Sequence, residues 1–468
     1  MSATPHRLSA GPAQAGAAAI PRRAAPVEVA HRMDRLPVTR LHVLATALCA
    51  FGFSFDLMEM ALGNMLSAVF SLPPASASRQ ELAWLLASVY LGAIAGAPLL
   101  GHWADLHGRR IVLIGALGWL ALTSWLGALS SGVLQLSLTR AMAGLALGAY
   151  PPLMFAYLTD VLPPARRGLL TFLTVAFGAF GPPAAIFLVR ALSPDGLWGI
   201  EAWRWAFLVG GAGAGGVALL FRLLPESPRW LEASGRQVEA DAMAARFEAS
   251  RTVLASPPPP VPDAAGEPRA GFAAGTGAKD ANRRALASVS LLYLLAPWST
   301  VAFPVLVGAV LVNKGFRMQD ALLFVGVSMF GLVIGSALSA AFVDRIQRRT
   351  ALAACGLAMV LCGTVFALST QPAWLIAAAT LFVFFSALYV PTLTMYGSEV
   401  FPTASRARYS AIAWAFNRVG AAAAPFVLLP LLHGAGPLAM SAVVSGTLLA
   451  GIAVLWLCPR GFAGRAVH

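Results

Sequence analysis

The sequence predicts an all-α membrane protein whose twelve transmembrane helices form two parallel six-helix repeats. Three observations predict it. Of 468 residues, 58% are apolar and only 11% are charged, whereas a water-soluble domain carries roughly 25% charged residues. The apolar residues are gathered into blocks of the length a helix needs to cross ~30 Å of hydrocarbon. Finally, residues of the second half repeat those of the first at a constant offset of 239 positions.

The twelve blocks run over 41–69, 81–103, 111–129, 134–161, 169–192, 204–224, 286–312, 319–343, 350–369, 373–400, 408–432 and 438–458. They divide the chain into a tail (1–40), a first bundle (41–224), a linker (225–285), a second bundle (286–458) and a second tail (459–468). The formal net charge is +13, and most of the 33 Lys and Arg residues fall in the tails, the even-numbered connections and the linker. That is the positive-inside distribution, so both termini are expected in the cytoplasm and the charge reads as topology, not nucleic-acid binding. The first tail is rich in Ala, Pro and Arg and ends in the amphiphilic run Met33 to Arg40. It shows no short apolar core followed by a cleavage site, so the first span is expected to act as its own insertion signal in a plasma membrane, as in a bacterial inner membrane. Cys49, Cys355, Cys362 and Cys458 lie in or beside apolar blocks without metal or disulfide spacing. They are expected to pack, and no metal or other cofactor is implied. Within the linker a short helix is expected from Glu232 to Arg251, ahead of the proline run 257–260 and a Gly/Ala-rich stretch.

The internal repeat rests on three separate regions. Asp105, Arg109 and Arg110 after span 2 map onto Asp344, Arg348 and Arg349 after span 8. Pro152, Tyr157, Val161, Pro163, Ala165 and Arg167 at the end of span 4 map onto Pro391, Tyr396, Val400, Pro402, Ala404 and Arg406, with Asp160 meeting Glu399. Gly181 in span 5 meets Gly420 in span 11. Six helices per repeat with the same orientation imply halves related by an axis along the membrane normal, a solute site at the midplane between them, and transport by rocking one half against the other.

Several motifs are more specific. The segment GHWADLHGRR, Gly101 to Arg110, resembles the loop signature of the major facilitator superfamily, and VDRIQRR, Val343 to Arg349, resembles its second-half copy. Gly101 is expected to let span 2 approach a neighbour, and Asp105 and Arg109, four apart, to share one side of a helical turn. The resemblance implies latches in which Arg109 engages Asp160 and Arg348 engages Glu399, with Asp344 the repeat of Asp105. Leu106 stands where the family usually has a basic residue. PESPRWL, Pro225 to Leu231, is similar to the signature shared by sugar porters and organic-ion carriers. It stops a helix at Pro225 and sets Glu226 and Arg229 three apart as further latch candidates. The sugar-porter branch is disfavoured by a seventh span without a glutamine pair and a C-terminus, CPRGFAGRAVH, without an acidic signature.

Charges inside spans point to the chemistry. Asp56 and Glu59 lie near the middle of span 1, three apart and therefore on one face with Gly52 and Gly63. An ionised residue at mid-bilayer costs about 2.5–3.5 kcal/mol, so it must face a partner or water. Two neighbouring carboxylates form a plausible reversible proton site. The stretch FGFSFDLMEMALGN, with RLPVTRLH ahead of it, resembles span 1 of the aromatic-acid and niacin symporters and of the synaptic-vesicle-type carriers, with Glu59 where an aspartate is more usual. Two arginines can balance the two acids. Arg418, near the middle of span 11 beside Asn417 and Trp414, suits bidentate capture of a substrate carboxylate or permanent pairing with Asp56 or Glu59. Arg140, about six residues into span 4, resembles the family's coupling arginine, and snorkelling to the interface is the alternative. Tyr157, Phe180, Trp298, Tyr389 and Phe416 are candidates to line a cavity for a ring-bearing solute. The run Gly210 to Gly216 imitates a phosphate loop but sits in an apolar helix, where close packing is expected.

These readings converge on a secondary carrier, not an enzyme. The expected activity is proton-coupled symport of a small organic, aromatic carboxylate, with Asp56 and Glu59 as proton sites and Arg418, supported by Arg140, as the anion site. Its partners would be that anion, protons and the lipid bilayer, the carrier itself being a monomer. A proton-driven efflux antiporter, a sugar or polyol porter and a non-translocating solute receptor remain the alternatives.

Overall fold

The computed structural model describes residues 29–71, 77–193, 196–254, 276–343, 346–401 and 406–457. A short helix α1 (Val29–Asp34) and strand β1 (Val38–Thr39) precede the first half, which comprises α2 (Arg40–Val69), α3 (Arg79–His107), α4 (Arg109–Ala128), α5 (Val133–Val161), α6 (Pro164–Gly178), α7 (Gly181–Leu192) and α8 (Ala202–Leu220). The connection holds α9 (Pro228–Ala233), α10 (Gln237–Glu248) and β2 (Thr252–Leu254). The second half comprises α11 (Thr276–Thr300), α12 (Ala302–Asn313), α13 (Met318–Ser328), α14 (Phe330–Val343), α15 (Arg348–Leu368), α16 (Pro372–Val400) and α17 (Arg406–Leu457).

Among the described residues eleven stretches are long and apolar enough to cross a membrane, and the last, Ile412–Trp456, is 45 residues long. It is interrupted at Gly436, whose φ of 84° leaves the helical region. Glycine adopts that conformation without strain, and Pro437 behind it brings no N–H to the next turn. Divided there, the spans number twelve. Spans 5, 7 and 8 each consist of two helices, α6 with α7, α11 with α12 and α13 with α14. Span 7 shows why: Pro304 cannot donate to the Thr300 carbonyl, which accepts from Ser386 Oγ at 3.4 Å instead.

Small residues set the tightest helix packing. A Cβ on Gly92 would stand 1.9 Å from the Ala141 carbonyl oxygen, and one on Gly96 would stand 2.0 Å from that of Leu145. The facing Gly144 and Gly148 meet the Val89 and Ala93 carbonyls at 2.1 and 2.4 Å. The same joint recurs 239 residues on, where Gly331 meets Thr380 O at 2.2 Å and Gly335 meets Phe384 O at 2.7 Å. Gly101 does not take the expected part, since nothing lies within 4 Å of its would-be Cβ. In the Gly210 to Gly216 run, Gly211 packs on Trp125 of α4 and Gly213 on the Phe55 ring of α2.

The halves are sealed together at the end away from the connection. Ser67 Oγ donates to Val305 O at 2.7 Å, and Gln319 Nε2 donates to Ser193 O at 2.6 Å. Trp84 of α3 stacks edge-on against Phe426 of α17 with centroids 4.9 Å apart. At the opposite, basic end the tail is docked on the connection. Glu232 of α9 accepts the Val29 and Ala30 amides at the start of α1, Arg32 bonds Asp241 and Glu248, Arg229 pairs with Asp34, and β1 pairs antiparallel with β2. Of the helix expected over Glu232 to Arg251, the structure forms α10 (Gln237–Glu248), while Glu232 and Ala233 end α9 ahead of the turn at Gly235 with φ 75°.

Candidate functional site

Two groups of charged side chains stand out, one inside the membrane span and one at the basic face. The first is built on α2, where Asp56 and Glu59 are each 2% exposed. Glu59 is fully engaged. Arg140 Nη1 reaches its Oε1 at 3.2 Å and its backbone oxygen at 2.9 Å, and Ser124 Oγ donates to Oε2 at 3.0 Å. Arg140 is 1% exposed, so the snorkelling alternative fails: the guanidinium turns inward because a carboxylate and a carbonyl wait for it there, and a buried charge is tolerated only when paired.

Asp56 is placed differently. Its Oδ1 is buried without a hydrogen-bond partner, and the cations and anions acting on it are Arg418, from the other half, and Glu59. Among the described residues no carboxylate comes within 4 Å of Arg418, so it makes no direct ion pair with Asp56 or Glu59 in this arrangement, although Asp56 is close enough to act on it. Arg418 is half-buried as a residue, and its guanidinium carbon lies 5.5 Å from the Trp414 ring centroid. Tyr90, 3% exposed on α3, lies near both Arg140 and Arg418, and Tyr150, near Asp56, donates to Cys49 O at 3.3 Å. Tyr90, Ser124 and Tyr150 were not legible as site residues, because hydroxyl-bearing side chains are ordinary in membrane helices and only their convergence on the charges marks them.

The other binding candidates divide. Asn417 is half-buried beside Arg418, and Trp298, also half-buried, packs against the apolar cluster that joins the halves. Tyr157 and Tyr389 do not line a cavity. Tyr157 is buried with its hydroxyl donating to Pro225 O at 2.9 Å, and Tyr389 is buried under Gly356 and Gly451 within the second half. Phe180 and Phe416 are 48% and 41% exposed.

At the basic face Arg109 is ion-paired with Asp105, and its Nε lies 4.0 Å from Asp160 Oδ2. Arg348 Nε lies 3.3 Å from Glu399 Oε1. Asp344 lies outside the described residues. Glu226 and Arg229 do not form one latch. The Glu226 carboxylate accepts the Arg110 amide at 3.0 Å and the Ser227 amide at 2.9 Å, capping the start of α4, while Arg229 pairs with Asp34 of the tail. Burial raises the Glu226 carboxyl above its ordinary value, and those backbone donors partly offset the rise. Ser227 Oγ, between them in sequence, donates to Asp160 at 2.9 Å and so ties the connection to the end of α5.

Two six-helix halves that meet at one end of the membrane, with a charged cluster buried along their seam, define an alternating-access carrier. The chain belongs to the Major Facilitator Superfamily, whose family profile matches residues 33–425. It is similar to the putative metabolite transport protein YyaJ of Bacillus subtilis (strain 168), 26% identical over 401 residues covering 83% of this chain and 86% of that one. It is also similar to the niacin transporter NiaP of Acinetobacter baylyi, 24% identical over 419 residues covering 87% and 91% of the two chains. The xylose transporter XylE of E. coli in a partially occluded inward-open conformation shares the fold, with a TM-score of 0.70, 18% identity, and coverage of 91% of this chain and 99% of that one. The protein is thus a multi-pass membrane transporter of small molecules and not an enzyme.

Proposed function

We propose that the protein imports a small organic carboxylate, preferably ring-bearing, together with protons. The supporting observation is the unequal treatment of the four seam charges: Arg140 and Ser124 satisfy Glu59, while Asp56 has a buried oxygen without a partner and Arg418 has no carboxylate in contact. A substrate carboxylate would complete Arg418 by a bidentate bond, and a proton would neutralise Asp56. Glu59, already compensated, serves the fixed framework of the site more than the exchange of protons. The similarity to NiaP favours the same class, because niacin is an aromatic carboxylate. Rocking of residues 41–224 against 286–458 would part the sealed end and close the basic end in turn, the basic end being the one the positive-inside rule assigns to the cytoplasm. The Arg109–Asp160 and Arg348–Glu399 pairs would gate that end, with the carrier working as a monomer in a bacterial inner membrane.

Uptake of labelled niacin, benzoate and xylose into proteoliposomes under an imposed pH gradient tests this reading. Wild type should accumulate a ring carboxylate and not the sugar. Asp56→Asn should lose acceleration by the gradient yet keep counterflow exchange, and Arg418→Ala should lose uptake. Gradient-driven uptake left intact in both variants, or accumulation of xylose alone, would overturn it.

A further inference from the structure

A cavity of about 250 Å³ opens at the basic face where three separate pieces of chain meet: the α3–α4 connection, the end of the sixth span and α9 with α10. Its walls carry His107, Arg110, Arg222, Arg236 and Arg246 against only two acids, Glu226 and Glu239. Both acids are already spent. Glu226 accepts the Arg110 and Ser227 amides, and Glu239 is held by Arg236 through two bonds of 2.7 and 2.6 Å. Arg110 itself donates to Phe221 O at 3.1 Å and Arg222 O at 2.7 Å. What remains are the guanidinium groups of Arg222 and Arg246, which come from different walls and have no carboxylate within 4 Å among the described residues.

Two exposed guanidiniums without a carboxylate partner border one concave volume, and an anion with oxygens on more than one side can meet both forks. A phosphate does so better than a carboxylate, because its oxygens diverge tetrahedrally and it carries more charge. Leu219, Leu220 and Leu223, flanking Arg222 at the end of the sixth span, are 60%, 48% and 56% exposed, an apolar surface beside the entrance that acyl chains could cover. The geometry points to a phosphate-binding site walled by Arg222 and Arg246, separate from the seam cluster and filled by the phosphate of an anionic phospholipid or of a small soluble ester. Glu226, capping α4 at the floor of this site, and Trp230, whose Nε1 donates to Asp105 O at 3.1 Å, connect it to the α3–α4 connection.

Two arms distinguish the sources, both on the full chain in detergent micelles. Equilibrium dialysis against radiolabelled inorganic phosphate reads the soluble source. Native mass spectrometry after incubation with phosphatidylglycerol or phosphatidylcholine reads the lipid source. At least one phosphate species should bind, more weakly at high salt, and Arg222→Gln/Arg246→Gln should weaken it about tenfold. Retention of phosphatidylglycerol over phosphatidylcholine identifies the lipid, and dialysis binding identifies the soluble ester. Arg246→Glu, a single change on an exposed helix face, repeats the test where the double variant melts early. Absence of binding in both arms, or equal binding in wild type and variants, overturns the site.

Discussion

Arg140 and Glu59 form a buried ion pair, 3.2 Å apart and 1% and 2% exposed, and such a pair behaves asymmetrically when it is cut. Removing one partner leaves an uncompensated charge and costs about 3–5 kcal/mol, whereas replacing both costs far less. Arg140→Ala should therefore lower the thermal unfolding midpoint in detergent sharply, and Glu59→Gln/Arg140→Gln should recover most of the loss. Equal melting of the single and double variants would show that the pair does not carry this energy. At this scale the sequence revealed the acids and both arginines, but not which arginine pairs with which acid. Asp56 and Glu59 stand out because hydrocarbon penalises them, but Arg140 lies 81 residues from Glu59, and its depth along α5 says nothing about which way it turns. Tyr157 misled for the converse reason: an aromatic side chain on an apolar helix has the same appearance whether it faces a solute or, as here, anchors a carbonyl of the connection.

Helices join most closely where glycine removes the side chain between backbones, and the repeat uses the same joint twice. A valine at Gly92 would drive its Cβ against the Ala141 carbonyl at 1.9 Å, and one at Gly331 against that of Thr380 at 2.2 Å. Gly92→Val and Gly331→Val should each reduce the yield of monodisperse protein, read by size-exclusion chromatography, while Gly101→Val, facing open space, should leave it unchanged. A well-behaved Gly92→Val would mean that α3 and α5 can separate at little cost. This joint was within reach of the sequence, since its positions obey the same 239-residue offset as the latches. It was missed because charged and proline residues advertise a repeat more plainly than glycines do. The twelve spans were legible from apolar length alone, but the breaks within spans 5, 7 and 8 were not, and the docking of α1 on α9 and α10 was further from view. That contact joins segments about 200 residues apart, and no local pattern encodes it.

The whole molecule is held in one arrangement, closed at the end away from the connection. Ala68 and Gly308 face each other across that closure, with a Cβ on Gly308 placed 2.9 Å from that of Ala68. A small outward shift brings such a pair to the ~3.8 Å that a disulfide spans. Ala68→Cys/Gly308→Cys should crosslink under mild oxidation, abolish uptake, and regain it on reduction. Transport that survives complete crosslinking would mean the two halves need not part there. The seam also bears on how the protein is made. Glu59 enters with the first span, and Arg140 emerges from the ribosome 81 residues later, which takes about 4–16 s at bacterial rates of translation. During that interval Glu59 has no counter-ion, and holding it ionised at mid-bilayer costs the first span about 2.5–3.5 kcal/mol. The pair is therefore completed only when the fourth span joins the first, so the buried framework of the site matures with α5 and not with α2.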